Sequence, residues 1–206
     1  PVSVGYYQMS VAVNNLGTID IGYLLYHYTS AGQSHTTGAV NIAAGKEYRI
    51  LSGQWHWDGG TATGTGLLSF YSSATGSFNT ATMPAVVTYF SNSTLASTLG
   101  SISNSKKIRI ANNNSITANL NNTDTILVQN QPNNFTGNFT NTPTSVLWLD
   151  GAESHSIITF ANGFTNNGKI LFDSPYYYGV LNVTTGVLTN AATGIIKTQG
   201  NPVSVG

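Results

Sequence analysis

The chain has 206 residues, of which 40% are hydrophobic and 11% aromatic, enough to form the core of one domain and to argue against disorder. Only 7% are charged, and seven Lys and Arg balance seven Asp and Glu, so the net charge does not favour nucleic acid as a partner. There is no Cys, which excludes disulfides and thiolate chemistry, and no apolar run approaches the roughly 18 residues that a membrane span needs.

Alternation of apolar and polar residues with a period of two recurs along the chain and predicts half-buried β-strands. In chain order these segments are 9–13, 18–21, 40–42, 107–110 and 115–120. More continuously apolar strands are predicted at 125–128, 146–149, 157–160 and 169–172. No segment has the sustained i, i+3, i+4 spacing of an amphipathic helix, so the sequence predicts an all-β fold.

A recurrent unit distinguishes between two all-β folds. An apolar residue, a short turn with Asn, a Gly and an apolar strand follow one another at 13–19, 164–170 and 188–196. The distances from Gly17 to Gly38 (21 residues) and from Gly168 to Gly194 (26 residues) fit a coil of about 20 to 30 residues better than hairpins every 8 to 12 or so. We therefore expect a right-handed parallel β-solenoid, with an antiparallel β-sandwich as the alternative.

The residue types of the unit have physical reasons. Asn and Gly tolerate the left-handed backbone of a coil corner, and Asn side chains one coil apart can hydrogen-bond in a ladder. The solenoid predicts that twelve apolar side chains point mainly inward: Ile19, Ile21, Val40, Ile42, Ile108, Ile110, Ile126, Val128, Ile170, Phe172, Val187 and Ile195.

The units resemble the β-helical repeats of filamentous-haemagglutinin-like and autotransporter-like bacterial surface proteins, whose coils often read as Leu-x-Asn-x-Gly-x-Ile. The resemblance is clearest over residues 100–200 and extends to 10–51. It implies a β-helical fibre at the cell surface. Residues 52–105 depart from the pattern through glycines and clustered aromatics, and either form a loop-rich excursion or ordinary coils with bulky filling.

The first five residues recur at the end of the chain, 201 positions later. Such an identity predicts one complete unit of a tandem array, about nine coils and about 43 Å long, followed by the start of the next unit. No charged cap is apparent at either end, and continuing the stack would make one unnecessary. The predicted junction consists of Pro1, Val2, Ser3, Val4 and Gly5, and of Pro202, Val203, Ser204, Val205 and Gly206.

Residues 54–58 contain the best candidate for recognition. Alternation places Trp55 and Trp57 on one face of a strand, where with Asp58 they would form a carbohydrate-binding surface. The alternative is that both indoles fill the core. Tyrosines 176–178 raise the same question beside a corner.

Catalytic and metal sites are not predicted. The acids are mostly isolated, although stacking would bring Asp150 and Asp173 to adjacent coils, as a polysaccharide-active enzyme requires. The four His residues lack zinc spacing, and the glycine-rich stretch 59–66 lacks the Lys-Ser/Thr of a phosphate-binding loop, so neither a metal nor another cofactor is expected. Six sequons give possible glycosylation sites: Asn92, Asn113, Asn121, Asn134, Asn138 and Asn182.

These observations favour a non-enzymatic structural fibre or adhesin shaft, extracellular or at the cell surface. Its expected partners are neighbouring copies of the same unit, joined head to tail, and surface glycans. A carbohydrate-binding module is the second hypothesis and a polysaccharide-active β-helix enzyme the third.

Overall fold

The structure is a computed structural model that describes residues 5–130, 132–173 and 176–200. Its regular secondary structure there consists of β-strands alone, as the sequence predicts. The residues of the predicted junction, 1–4 and 202–206, lie outside the described part, and only Gly5 of that set is within it.

The strands are short, and the longer ones continue around a corner of the coil. In chain order they are β1 (Tyr7–Met9), β2 (Asn14–Asn15), β3 (Thr18–Ile21), β4 (Leu25–Thr36), β5 (Ala39–Ile42), β6 (Glu47–Trp57), β7 (Thr61–Gly64), β8 (Leu67–Tyr71), β9 (Thr75–Phe78), β10 (Val87–Ser91), β11 (Thr94–Ala96), β12 (Ile102–Ser103), β13 (Ile108–Ala111), β14 (Asn114–Ile116), β15 (Leu120–Asn122), β16 (Thr125–Gln129), β17 (Asn133–Phe135), β18 (Phe139–Asn141), β19 (Val146–Asp150), β20 (Ser156–Asn166), β21 (Lys169–Asp173), β22 (Gly179–Asn190) and β23 (Ile195–Gln199).

Every pairing between these strands is parallel and joins one coil to the next. The fold is therefore the predicted parallel β-solenoid, of about nine turns, and the antiparallel β-sandwich is wrong. Tyr7 and Ile196 occupy the same position nine coils apart, so 189 residues in nine coils give a mean of 21 per coil.

Each coil contributes to three faces. The first sheet contains β1, β8, β10, β13, β16, β19, β21, β23 and the N-terminal parts of β4 and β6. The second sheet contains β2, β9, β11, β14, β17, the later parts of β4 and β6 and the early parts of β20 and β22. The third face contains β3, β5 and β7, then β12, β15, β18 and the ends of β20 and β22.

The core runs along the inside of all three faces. Eight of the twelve predicted inward residues are buried, and Ile19 and Phe172 are half-buried against this core. Val187 and Ile195 were predicted inward but are 71% and 55% exposed. Both predictions are wrong by one residue of register, which in a strand reverses the face.

The register explains both errors. A bulge between Asn162 and Phe164 shifts the pairing of β20 with β22, so that Leu188, not Val187, aligns with buried Phe164. Ile196, not Ile195, aligns with buried Ile170.

Residues 52–105 form ordinary coils. Strands β6 to β12 keep the parallel register of their neighbours, and aromatic rings fill the interior instead of leaving the stack. Phe70 stacks on Phe90 with 4.9 Å between ring centroids, and Phe78 packs edge-on against both. The bulky-filling alternative therefore describes this segment.

The corner of the coil where residues adopt positive φ angles is not the corner where neighbouring coils approach most closely. Positive φ angles occur at Asn92, Asn112, Asn113 and Asn130, at the turn between the first and second sheets. The glycine of the recurrent unit, in contrast, lies where neighbouring coils approach closely, since a Cβ on Gly168 would overlap backbone oxygens of the preceding coil. In the unit Gly supplies room, whereas the left-handed conformation is adopted by asparagines of the other corner and not by those of the unit.

The predicted asparagine ladder is present inside the coil. Asn122 donates to Asn141 over 2.8 Å, Asn141 to Asn166 over 2.6 Å, and Asn166 to Asn190 over 2.7 Å. Asn122, Asn141 and Asn166 are fully buried. These amides link four successive coils, and only the Oδ1 of Asn122, at the start of the ladder, lacks a hydrogen-bond partner among the described ladder residues.

Candidate functional site

Charge is concentrated on one of the three faces. Twelve of the fourteen Lys, Arg, Asp and Glu residues lie in first-sheet strands or in the corners that adjoin them, and the exceptions are Asp20 and Asp58. The other two faces present mainly Asn, Ser, Thr and Gly. The outward side of the first sheet is therefore the surface with the most varied chemistry, and it is the candidate functional site.

The charges on this face are also divided along the stack. Cations predominate in the earlier coils, with Lys46, Arg49, Lys107 and Arg109, and carboxylates predominate from Asp124 onwards. The total charge of zero hides this separation, because the sum over a sequence says nothing about position.

Arg49 forms the centre of a network on the basic half. Its Nε and Nη2 donate to both oxygens of Glu47 at 2.9 and 2.6 Å, and its Nη1 donates to the hydroxyl of Tyr26 at 3.1 Å. The guanidinium also lies over the rings of Tyr26 and Tyr71, 5.1 and 4.6 Å from their centroids. The bidentate hydrogen bonds to Glu47 raise the pKa of Arg49, while burial raises the pKa of Tyr71 to about 12.

Arg109 is less completely satisfied than Arg49. Its Nη2 donates to Gln129 at 3.0 Å, its guanidinium lies 5.1 Å from the centroid of Tyr89, and its Nε is buried without a hydrogen-bond partner among the described residues. Within that part of the chain, Arg109 forms no salt bridge. Its charge therefore remains available to a ligand.

A depression of about 360 Å³ lies beside these cations, within the range of small-molecule sites. Its charged lining residues are Lys46, Glu47 and Arg109, and its apolar lining is Leu67 and Val87. Thr65 and two glycines complete it. Glu47 is occupied by Arg49 and by the hydroxyl of Ser69, which leaves Lys46 and Arg109 as the uncompensated charges of the depression.

The predicted tryptophan surface is not formed. Trp55 and Trp57 point into the coil and are 0% and 1% exposed. Trp55 packs edge-on against His27 and Tyr48, and the indole N–H of Trp57 donates to the carbonyl of Gly60. The core-filling alternative is correct, because the inward side of this strand continues the hydrophobic interior. These rings cannot stack on a sugar.

Asp58 belongs to a different cluster, on the outside of the second sheet. Its carboxylate accepts hydrogen bonds from His35 at 2.6 Å and from Asn79 at 2.7 Å. The rings of His35 and His56 stack with centroids 4.7 Å apart. Burial acts to raise the pKa of Asp58, but the two hydrogen bonds and the histidine charges lower it below its usual value.

Asp150 and Asp173 are adjacent in register, as the sequence suggested. The side-chain amide of Gln129 donates to Asp150 and that of Gln199 to Asp173, each at 2.9 Å. Each carboxylate thus already accepts a side-chain amide. In the next corner, His155 stacks on Tyr178 with 3.7 Å between centroids and meets Tyr177 edge-on.

None of the six sequon asparagines lies in a strand of the first sheet, although Asn92 directly follows β10. Five of their asparagines are exposed, and Asn121 is half-buried. Glycosylation there remains a prediction.

Sequence reasoning missed the charged first sheet because its residues are far apart along the chain. Tyr26, Arg49, Ser69, Tyr89 and Arg109 become one outward row only when the coil register is known. The signal in the sequence was that every Lys and Arg falls in, or just before, a strand that the structure places in the first sheet.

Among the described residues, no group of three His, Asp or Glu side chains is placed to hold a metal ion, and no helix is long and apolar enough to cross a membrane. Comparison with known proteins finds no matching family model, no matching curated protein and no matching solved structure.

Proposed function

We propose that this chain is a structural shaft segment, one part of an extracellular or cell-surface fibre built by stacking β-solenoid coils. The observation that supports this most directly is the inward row that begins with Tyr7 and ends with Ile196. The row is buried from Tyr48 to Ile170, whereas Tyr7 and Ile196 are 69% and 48% exposed. Both ends of the described stack thus present a position that another coil would bury.

Within the described residues, the outermost strands β1 and β23 each pair on one side only. A parallel sheet edge next to exposed apolar side chains is a template for a further strand. Covering it with another coil of the same kind extends the rod without a new type of contact, which is how solenoid arrays grow. The occupant that fits is therefore a neighbouring unit of this protein.

The side faces fit the same role. The second and third faces are rich in uncharged amides and hydroxyls, and asparagine, aspartate and threonine form an exposed ladder in which Asn41 donates to Asp20 and Thr63 donates to Asn41, at 2.7 and 2.6 Å. Such ladders connect consecutive coils from outside as the buried asparagines do from inside. A rod stiffened on both sides is suited to holding something away from a surface.

End-to-end stacking is testable with the 206-residue chain itself. Sedimentation and negative-stain electron microscopy over rising protein concentration should show rods whose lengths are multiples of about 43 Å, nine coils of about 4.8 Å each. Ile196→Asp should weaken this association because it places a charge on the stacking surface. Thr140→Asp, an exposed mid-stack residue on the third face, is the matched control.

A chain that stays monomeric at every concentration, or one whose association depends on Thr140 and not on Ile196, would contradict the shaft proposal. Labelling of intact cells with an antibody against the folded chain tests the surface location separately.

A further inference from the structure

We propose that the depression between Lys46 and Arg109 is a binding site for an anionic carbohydrate, bound through a carboxylate or sulfate group. This goes beyond the shaft role, which needs no ligand. Three features carry the inference: charge that no protein group neutralises, an apolar floor next to it, and a position on the side of the rod.

The charge is the first feature. Lys46 and Arg109 line the same depression but come from coils three apart, about 14 Å along the axis at about 4.8 Å per coil. In the described part of the chain neither forms a salt bridge. Lys107 directly precedes β13, the strand that contains Arg109. The carbonyl oxygen of Lys107 accepts a hydrogen bond from the backbone N–H of Thr88, so Lys107 lies one coil from Val87. Lys46 and Arg109 thus line the depression, and Lys107 lies beside it.

Nearby carboxylates do not cancel this charge. Glu47 is held by Arg49, so that pair is neutral. Asp124 aligns with Lys106 by the pairing of Ile108 with Ile126, and neither residue lines the depression. The net charge at the depression is positive, and an anion is the complementary ligand.

The apolar floor indicates what kind of anion binds. The half-buried side chains of Leu67 and Val87 lie in the depression, and Tyr89 follows Val87 on the same outward side. A sugar ring offers a C–H face for such a floor and hydroxyl groups for Thr65, together with an acidic substituent for the cations. A bare phosphate polymer offers charge alone, and a neutral glycan offers the ring alone.

The position on the rod favours an extended ligand. The depression is on the side of the stack, remote from both ends, so head-to-tail stacking leaves it open. An oligosaccharide running along the axis would meet Lys46 at one point and Arg109 about three coils further. Both charges thus contribute only to a ligand that spans several sugar units.

Binding to size-matched polymers tests the inference. At low ionic strength we expect the chain to bind dextran sulfate or polygalacturonate at least about tenfold more tightly than unmodified dextran, since hydrogen bonds to charged groups supply that discrimination. Which acidic polymer binds distinguishes a sulfate from a carboxylate ligand. Inorganic polyphosphate should bind more weakly than the preferred acidic polysaccharide.

The chain offers a close control. Lys107→Gln with Arg109→Gln should weaken binding about tenfold or more, because two charged contacts are lost. Lys169→Gln with Lys197→Gln is the control, because it removes the same amount of charge away from the site. Lys169 occupies the position of Lys107 three coils further on, and Lys197 occupies the position of Arg109 four coils further on. This double variant should change binding less than about twofold. Lys46→Gln, in a corner, is an independent single test.

The proposal fails if both double variants lose binding equally, if polyphosphate or neutral dextran binds as tightly as the acidic polysaccharides, or if none of the polymers binds. Because electron microscopy of the same variants reports rod formation, loss of ligand binding and loss of the shaft are separate results.

Discussion

Histidine 27 occupies a position that is otherwise apolar in the neighbouring coils. His27 aligns with Ile50 in the next coil, and Phe70 and Phe90 occupy the same position in the two coils after that. The side chain of His27 is fully buried. Its Nε2 lies 2.7 Å from the carbonyl oxygen of Val11, so that nitrogen carries the hydrogen, and its Nδ1 accepts from the Tyr48 hydroxyl at 2.7 Å. Burial lowers the pKa of His27, although the hydrogen bond to Val11 opposes this.

Protonation of His27 should therefore destabilise the fold in mild acid. A lowered folded pKa means that the unfolded chain takes up the proton first, so the stability is fully present above about pH 6.5 and is lost as the pH falls towards the folded pKa. We expect the free energy of unfolding to fall by up to about 1.4 kcal/mol per pH unit from this residue. Denaturant titrations between pH 7.5 and 5 measure that slope.

His27→Phe should remove this component of the slope while lowering stability at pH 7.5, since the Tyr48 hydroxyl loses its partner. The pKa of His56 is also lowered, by burial and by the charge of His35, so both proteins should be compared in a His56→Asn background. An unchanged pH slope in His27→Phe would show that His27 does not titrate on unfolding.

Asparagine 141 is the centre of the buried ladder. It donates to Asn166 and to the Lys169 carbonyl, and accepts from Asn122 and from Ser145. Asn141→Ala leaves several of these groups unsatisfied inside the coil and should lower the free energy of unfolding by about 3 kcal/mol.

The control for that change is Asn134→Ala. Asn134 is exposed, and its side chain makes no hydrogen bond within the described ranges, so its removal should alter stability by less than about 0.5 kcal/mol. Equal effects of the two substitutions, measured by urea denaturation, would show that the ladder adds no stability.

At the scale of the elements, the glycine of the recurrent unit offers a matched pair. A Cβ on Gly168 would overlap the carbonyl oxygens of Thr142 and Ser145, whereas a Cβ on Gly17 would meet nothing within 4 Å. Gly168→Ala should therefore separate β19 from β21 locally and lower the free energy of unfolding by about 2 kcal/mol or more.

Gly17→Ala should be neutral, or stabilising by up to about 1 kcal/mol through the unfolded state, because neither a clash nor a positive φ opposes it. The two proteins differ by the same methyl group in the same type of unit. If their thermal unfolding midpoints move together, close coil-to-coil approach is not the reason for this glycine.

The sequence predicted the fold better than it predicted the individual strands and their register. Alternation and apolar runs located strands such as β3, β5 and β16, but β4 and β7 to β12 were not predicted. The spacing of the units predicted the solenoid, because coil length leaves a direct trace in the chain. Val187 and Ile195 show where this stops. The bulge in β22 lies at Gly186, whose φ is positive, but among 22 glycines one residue does not locate a bulge in advance. A run such as Ile195-Ile196 offers two apolar residues for one inward position. The site was hidden for the same reason, since its row of residues exists only after the register is set.

At the scale of the whole molecule, a solenoid is nearly one-dimensional. Each coil contacts the coil before and the coil after it, so its stability is the sum of its own terms and two interfaces. The last described coil has one such interface, and all five residues of β23 are exposed. In contrast, the central strands β13, β16 and β19 each pair with a strand on both sides and consist only of buried and partly exposed residues.

Amide hydrogen exchange of the free 206-residue chain should therefore decrease in protection stepwise from the central coils to both ends. Opening β23 breaks one strand ladder, whereas exposing β16 requires the ladders with β13 and β19 to break together. We expect protection factors in β16 to exceed those in β23 by a factor of 100 or more, which corresponds to about 3 kcal/mol. Head-to-tail stacking adds the missing interface, so raising the protein concentration should raise protection in β23 first and leave β16 unchanged. Ile196→Asp should abolish that increase. Uniform protection along the chain would instead indicate a single cooperative unit in which the end coils are as stable as the middle, and neither the one-dimensional account nor the need for a neighbouring coil would then hold.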